Sequence, residues 1–373
     1  MVIPKVSDII NIIEQLYPLS LSEKWDNSGL QTGSKKKDVH NILIALDPLM
    51  SVIKSCKTMD IDLLITHHPL LMEQLKVIDY STLAGSVIKM AASLDLSIYS
   101  AHTNVDKGSG GLNDIFGQKI GLKDMKPLIP SENKRAKFVV YVPIQFEEKV
   151  LSAIFSTIGV EIENYSNCTF RNKGIGTYKP GLSAKPFQGC AGTIEHADEI
   201  RIEVLVNLDN LNHLIDEIKK VHPYEVIAYD VYPLLLSGNG SHGIGRIGNL
   251  EEKTDFNTFA RIIKEKFGLS HIKISGDPKM PVFSVAVCTG SGSSLTKDFI
   301  KSEADVYISG DIKYHDAQNI LENRAGVIDI GHFKSEQFFI EHLSQKLNEI
   351  VIKSGFKVNI IPCNTEKDPF IIV

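Results

Sequence analysis

Short β-branched runs alternate with helix-length amphipathic segments at both ends of this chain, and that alternation restricts the fold more than any other feature. Residues 40–47, 61–66 and 96–102 read as strands, separated by helical patterns over 50–59 and 81–95. The rhythm resumes near the other end. Residues 281–290, 305–311, 326–332 and 357–363 read as strands, and 293–304 and 317–325 as helices. A long helix from Phe333 carries Phe339, Leu343, Leu347 and Ile350 on one face. Strands separated by helices of this length predict an α/β class with a mostly parallel sheet covered on its faces. Residues 61–66 echo 304–309, so the two ends read as related halves of one sheet system.

The middle of the chain follows another pattern. A strand over 136–143, a helix over 146–159 and a Gly-rich stretch form one β-α-β unit. A strand over 199–207, a helix over 208–222 and a strand over 225–236 form another. Two such units predict an inserted ferredoxin-like α+β domain at 132–236, splitting the α/β domain into 1–131 and 237–373. Residues 127–135 and 237–245, rich in Pro, Gly, Ser and Asn, have the composition of linkers.

Composition narrows the function classes. A net charge of −5 argues against broad nucleic-acid binding, which ordinarily shows a basic excess. The five cysteines, Cys56, Cys168, Cys190, Cys288 and Cys363, form no Cys-x-x-Cys pair, so neither a disulfide framework nor a zinc ribbon is expected. The first residues form an amphipathic helix pattern with no signal-peptide character, and no apolar stretch approaches the roughly 20 residues that cross a bilayer. A cytoplasmic location is expected.

Candidate chemistry gathers where strands end. His67 and His68 follow the 61–66 strand, and Pro69 stops it, so a turn would bring both imidazoles to one cavity. His102 and Asp106 follow the 96–102 strand. His332 and Glu336 lie four apart at the start of a helix, one above the other on a single face. Each pair alone has an ordinary explanation: hydrogen-bonded turn histidines, turn-forming Asp, or a surface ion pair. Together they place nitrogen and oxygen donors at three strand ends, the carboxyl side where open α/β sheets carry their ligands. Mixed donors of this kind suit zinc, iron or manganese better than magnesium or calcium. That is more donors than one tetrahedral site requires, and it suits two ions about 3.5–4 Å apart.

Two glycine motifs need weighing. Gly243-Ile244-Gly245-Arg246-Ile247-Gly248 matches G-x-G-x-x-G formally, but no helix pattern starts there, so it reads as a domain-crossing turn. Thr289, Gly290, Ser291 and Gly292 lie between a strand and a helix. Their amides are candidates to cradle a phosphate, against the plainer reading of a tight turn.

These residues sit in motifs that resemble the GTP cyclohydrolase I type 2 homolog family, also called the Ngg-interacting-factor-three-like family. The matching stretches are Trp25-Asp26-Asn27-Ser28-Gly29-Leu30-Gln31, Ile65-Thr66-His67-His68-Pro69-Leu70 and Tyr99-Ser100-Ala101-His102-Thr103-Asn104-Val105-Asp106. Ser309-Gly310-Asp311-Ile312-Lys313-Tyr314-His315 and Ile328-Asp329-Ile330-Gly331-His332-Phe333-Lys334-Ser335-Glu336 complete the set in the family's order, with Ser309 where Thr is frequent. The resemblance implies a dinuclear metal site at His67, His68, Asp106, His332 and Glu336, with His102 and His315 nearby as proton carriers. The central segment, through His222-Pro223-Tyr224-Glu225, resembles the CutA-like or PII-like insertion of longer members, which assemble as homohexamers.

The expected function is therefore a metal-dependent hydrolase with two divalent ions, zinc first, then iron or manganese. In the cyclohydrolase version a hydroxide generated at the ions attacks guanine C8 of GTP, formate leaves, and the Thr289–Gly292 amides hold phosphate. The alternatives are a dinuclear phosphoesterase acting on another small molecule, and a regulatory or scaffold protein whose metals are structural.

Overall fold

The strand and helix alternation at the two chain ends is built into two sheets of one mixed α/β unit. The computed structural model describes residues 2–73, 75–131, 135–158, 161–162, 165–234 and 241–371. It divides into two units, Met1–Ser131 with Asn239–Val373, and Glu132–Gly238. Residues 237–240 of the linker expected at 237–245, and residues 132–134 of the other, lie outside the described residues.

In the first unit, a five-stranded sheet runs in the order Gly29–Thr32, Ser97–Ser100, Leu63–Thr66, Asn41–Ala45, Asn359–Pro362. Only the Gly29–Thr32 edge is antiparallel to its neighbour. Leu63, Leu64 and Ile65 are fully buried, as a strand covered on both faces requires. Its final strand comes from the far end of the chain. The helix before that strand, Phe338–Lys353, packs Phe339, Leu343 and Leu347 onto Ile42, Ile44 and Ile65. Each such fully buried side chain contributes roughly 1.5–3 kcal/mol of hydrophobic stabilisation.

The second sheet has six strands, in the order Lys273–Ser275, Gly326–Asp329, Val306–Gly310, Pro281–Ser291, Gly243–Asp255, Lys123–Pro130. Here the two halves of the chain are again exchanged, because Lys123–Pro130 is contributed by the first half. Two readings change as a result. Residues 127–130, expected in a linker, are the end of an edge strand, and Gly243–Gly248, expected as a turn, is extended and pairs with both neighbours. Pro127 and Pro130 suit an edge strand, where a missing amide costs no ladder bond. The long helix expected from Phe333 is two helices, His332–Glu336 and Phe338–Lys353.

The second unit is a four-stranded antiparallel sheet in the order Tyr229–Pro233, Arg135–Pro143, Glu195–Asn207, Thr169–Tyr178. Helices Glu147–Ile158 and Leu208–Val221 bury Val150, Ile154, Leu214 and Ile218 against Phe138, Val140, Ile202 and Val204.

Candidate metal centre

Three strand ends of the first unit supply the centre. His67 and His68 continue beyond Leu63–Thr66, with their amides donating to Ala45 O and Leu46 O. His102 precedes the short helix Thr103–Lys107, which carries Asp106. His332 opens His332–Glu336 directly after Gly331, whose φ of 85° turns the chain sharply out of the strand before it.

The Nδ1 atoms decide what these imidazoles can do. His67 Nδ1 lies 3.0 Å from Ala101 O. His68 Nδ1 lies 2.8 Å from Asp47 Oδ1, His102 Nδ1 2.8 Å from Asp26 Oδ1, and His332 Nδ1 2.7 Å from Asp311 Oδ2. Carbonyl and carboxylate oxygens only accept, so each Nδ1 carries the proton and donates. Every Nε2 then presents a lone pair on the opposite side of its ring. Outward-anchored rings of this kind are how metal-binding histidines are oriented.

Those Nε2 atoms converge with two buried carboxylates. His67 Nε2 is 3.7 Å from Asp106 Oδ1 and 3.6 Å from Glu336 Oε1. Glu336 Oε2 is 3.1 Å from His68 Nε2 and 3.0 Å from His332 Nε2. Donor atoms of His67, His68 and His102 lie within 4.8 Å of one another, as do those of His68, His332 and Glu336. His67 Nε2 and Glu336 Oε2 are nevertheless buried without an aligned hydrogen-bond partner. An unpaired buried polar atom costs about 1–3 kcal/mol, so this histidine and glutamate cluster fits a metal ion, which would satisfy both atoms.

Charge coupling is strong here. Burial disfavours a charged His68, but the Asp47 and Glu336 carboxylates outweigh it and hold the imidazole up at about 10. Glu336 leads in raising His332 to about 9, against burial. His67 is also raised, Asp106 and Glu336 overcoming its complete burial. Glu336, despite burial, is held well below the usual carboxylate range by His67, His332 and His68. Burial dominates at Asp106 and lifts it. Without a cation, protons are drawn onto the rings, and a divalent ion would take their place.

His102 sits at the rim of the cluster, edge-on to His67, His68 and Trp25 at ring separations of 5.1, 5.5 and 6.0 Å. Its partner Asp26 also accepts from Thr103 N at 3.1 Å, from Ser28 Oγ at 2.8 Å and from Thr103 Oγ1. Although burial opposes ionisation, His102, Thr103 and Ser28 keep Asp26 well below the normal carboxylate range.

Two groups expected at the site are placed otherwise. His315 is exposed on the first turn of Tyr314–Glu322, pairs with Gln318 at 3.1 Å, and is not among the donors that lie within 4.8 Å of one another in the described residues. The Thr289–Gly292 stretch is mainly the end of a strand. Its amides serve the fold: Thr289 N donates to Asn113 Oδ1, Gly290 N to Ser335 Oγ, and Gly292 N to Gly310 O. Those three are not free to cradle a phosphate. Gly290 has a different use, because a Cβ there would lie 2.1 Å from Glu336 Oε1. The sequence reading gave no role to Asp26, Asp47 or Asp311. The latter two share one usable signal, an aspartate shortly beyond a strand that leads toward the site.

Known proteins resemble this chain along nearly its whole length. Among the described residues, no helix is long and apolar enough to cross a membrane. The chain is 34% identical over 363 residues to a GTP cyclohydrolase 1 type 2 homolog of Bacillus subtilis, covering 97% of each. It is 33% identical to the homolog of Halalkalibacterium halodurans, covering 98% of each. A solved Bacillus cereus protein related to NIF3 superposes with a TM-score of 0.79 at 33% identity, covering both chains fully. The profile of the Duf34/NIF3 (NGG1p interacting factor 3) family matches residues 4–369. The chain therefore belongs to the Duf34/NIF3 family.

Proposed function

We propose that this chain is a dinuclear metal-dependent hydrolase, with His67, His68, Asp106, His332 and Glu336 as the ligands. The single observation that carries the reading is the inward convergence of imidazole Nε2 atoms whose Nδ1 protons are all committed elsewhere. Glu336 supports the count of two, since one oxygen faces His67 and the other faces His68 and His332. Zinc suits this donor set, with iron and manganese as alternatives.

Divalent ions supply Lewis acidity and make water a competent nucleophile near neutral pH. The chain's own groups do the rest. Glu336 spans the two halves of the ligand set, and Asp106 balances charge beside His67. His102, held by Asp26, exchanges a proton at Nε2 with the reacting group. The relatives' names make the guanine ring of GTP the first substrate to test: one water adds at C8 and opens the ring, and a second releases formate. Incubation of metal-loaded protein with GTP should release formate and change the ultraviolet spectrum. Phosphate release without formate would assign a phosphoesterase instead, and no turnover would remove hydrolysis while leaving metal binding to be measured directly.

In this reading the Glu132–Gly238 unit is an inserted ferredoxin-like domain of the CutA-like or PII-like kind. Its strand order, with the last strand beside the first and two helices on one face, supports that assignment. A cytoplasmic homohexamer completes the proposal, and light scattering tests the assembly.

A further inference from the structure

Glu366 lies in the irregular segment following the strand Asn359–Pro362, far in sequence from every candidate ligand except those of the last helices. Its carboxylate spans two consecutive amides near the other end of the chain. Leu46 N donates to Oε2 and Asp47 N to Oε1, both at 2.8 Å. Cys363 N still donates to Ile44 O at 2.8 Å, so the segment leaves the sheet edge just where Glu366 reaches across. Asp47 Oδ1 takes the Nδ1 proton of His68 at 2.8 Å, and His68 N donates to Leu46 O at 2.9 Å. The Leu46–Asp47 backbone is thus gripped from one side by Glu366 and from the other by His68.

We propose that Glu366 is a positioning residue for the metal centre. By fixing the Leu46 and Asp47 amides it aims the Asp47 carboxylate at His68 Nδ1, and that hydrogen bond turns His68 Nε2 toward Glu336 and His332. The inference rests on the metal-centre reading for its affinity readout, but the orientation of His68 is measurable in metal-free protein. Two charged oxygens on two adjacent amides make a strong clamp, because hydrogen bonds to an ionised acceptor are roughly twice as strong as neutral ones. Glutamine cannot reproduce it, since its NH2 would face an amide N–H.

The test compares the full-length chain with Glu366→Ala, Asp47→Ala, the double variant, and Asn364→Ala as an exposed control in the same segment. Zinc and manganese affinities are measured by competition with a chelating dye, and the His68 Nδ1–H hydrogen bond to Asp47 by the proton and nitrogen-15 shifts of that group without metal. Glu366→Ala should weaken metal binding about 10–100-fold, as loss of an outer hydrogen-bond partner does, and should weaken the His68 Nδ1–H hydrogen bond. The double variant should be no worse than Asp47→Ala alone. Unchanged affinity and Nδ1–H shifts in Glu366→Ala would overturn the proposal, as would additive losses in the double variant or an equal effect of Asn364→Ala. If wild type binds neither metal, the centre reading fails, and the Nδ1–H shifts alone decide the role of Glu366.

Discussion

The Nε2 atoms of His68 and His332 lie 3.3 Å apart across 264 positions of sequence. With both Nδ1 protons given to aspartates, two lone pairs meet in front of the Glu336 carboxylate, an arrangement that repels unless a proton or cation lies between them. Much of what can be tested follows from that encounter.

Cation binding should stabilise the fold measurably. A ligand at a thousand-fold excess over its Kd adds about 4 kcal/mol, so zinc or manganese should raise the Tm of chelator-treated protein, and magnesium should do so least. The sole tryptophan, Trp25, sits edge-on to His102. Its emission should be quenched by cobalt(II) or nickel(II) over the same concentration range. An unmoved Tm and unchanged emission would count against the centre.

Glu336→Gln removes the charge that leads in raising His332. Metal affinity should drop by more than the roughly 10–100-fold typical of an outer-shell change. In metal-free protein the His332 titration should move down from about 9, as followed by proton NMR.

Asp26→Asn should leave metal content near wild type, because Asp26 bonds to His102, Thr103 and Ser28 and not to the proposed ligands, while the His102 tautomer shifts. With any substrate that turns over, kcat should fall about 10²–10⁴-fold, the range for a lost or misoriented acid–base group. An unchanged kcat would remove His102 from proton transfer.

The sequence displayed the candidate ligands better than the scaffold that aims them. His67, His68, Asp106, His332 and Glu336 stand at strand ends flanked by apolar runs, and it is the three strand ends taken together, with the family resemblance, that mark them. The acceptors Asp26, Asp47 and Asp311 become meaningful only once strands distant in sequence are paired. Residues 127–130 and 243–248 misled for a physical reason, since proline at a sheet edge and glycine in a tightly packed strand look like loop composition. Gly248 has no room for a side chain beside Lys123 O at 2.7 Å, so that glycine marks close approach instead of a turn. Three of the four amides expected at a phosphate cradle are engaged within the fold, and such partners become visible only once distant segments are placed together.

Arg246 tests the join between the two exchanged segments. It is almost fully buried, pairs with Asp114, and donates to Gly243 O, Gly245 O and Gly108 O. Arg246→Ala would strand the Asp114 charge and should cost about 3–5 kcal/mol in urea unfolding. The doubly apolar Arg246→Met, Asp114→Leu variant should recover part of that loss.

His342 gives an acid sensitivity of stated sign. Burial, aided by the Lys346 charge, lowers it to about 4, so the folded ring stays neutral where the unfolded one is protonated. Stability is complete above the unfolded value near 6.5, declines as pH falls through that value, and stops declining below about 4. Between pH 7 and 5 wild type should lose about 1 kcal/mol more than His342→Gln, allowing for solvent screening of this half-buried ring. Equal losses would show that the ring titrates normally.

The exchange of segments between the two sheets also dictates a timetable. During synthesis at roughly 5–20 residues per second, His67, His68 and Asp106 leave the ribosome many seconds before Glu336 exists. The strand that completes their sheet, Asn359–Pro362, arrives later still. On the proposed metal-centre reading, a nascent chain therefore holds only part of the chelating set. Cation binding then belongs to a late step of maturation, and the cations available at that moment decide which one the finished molecule carries.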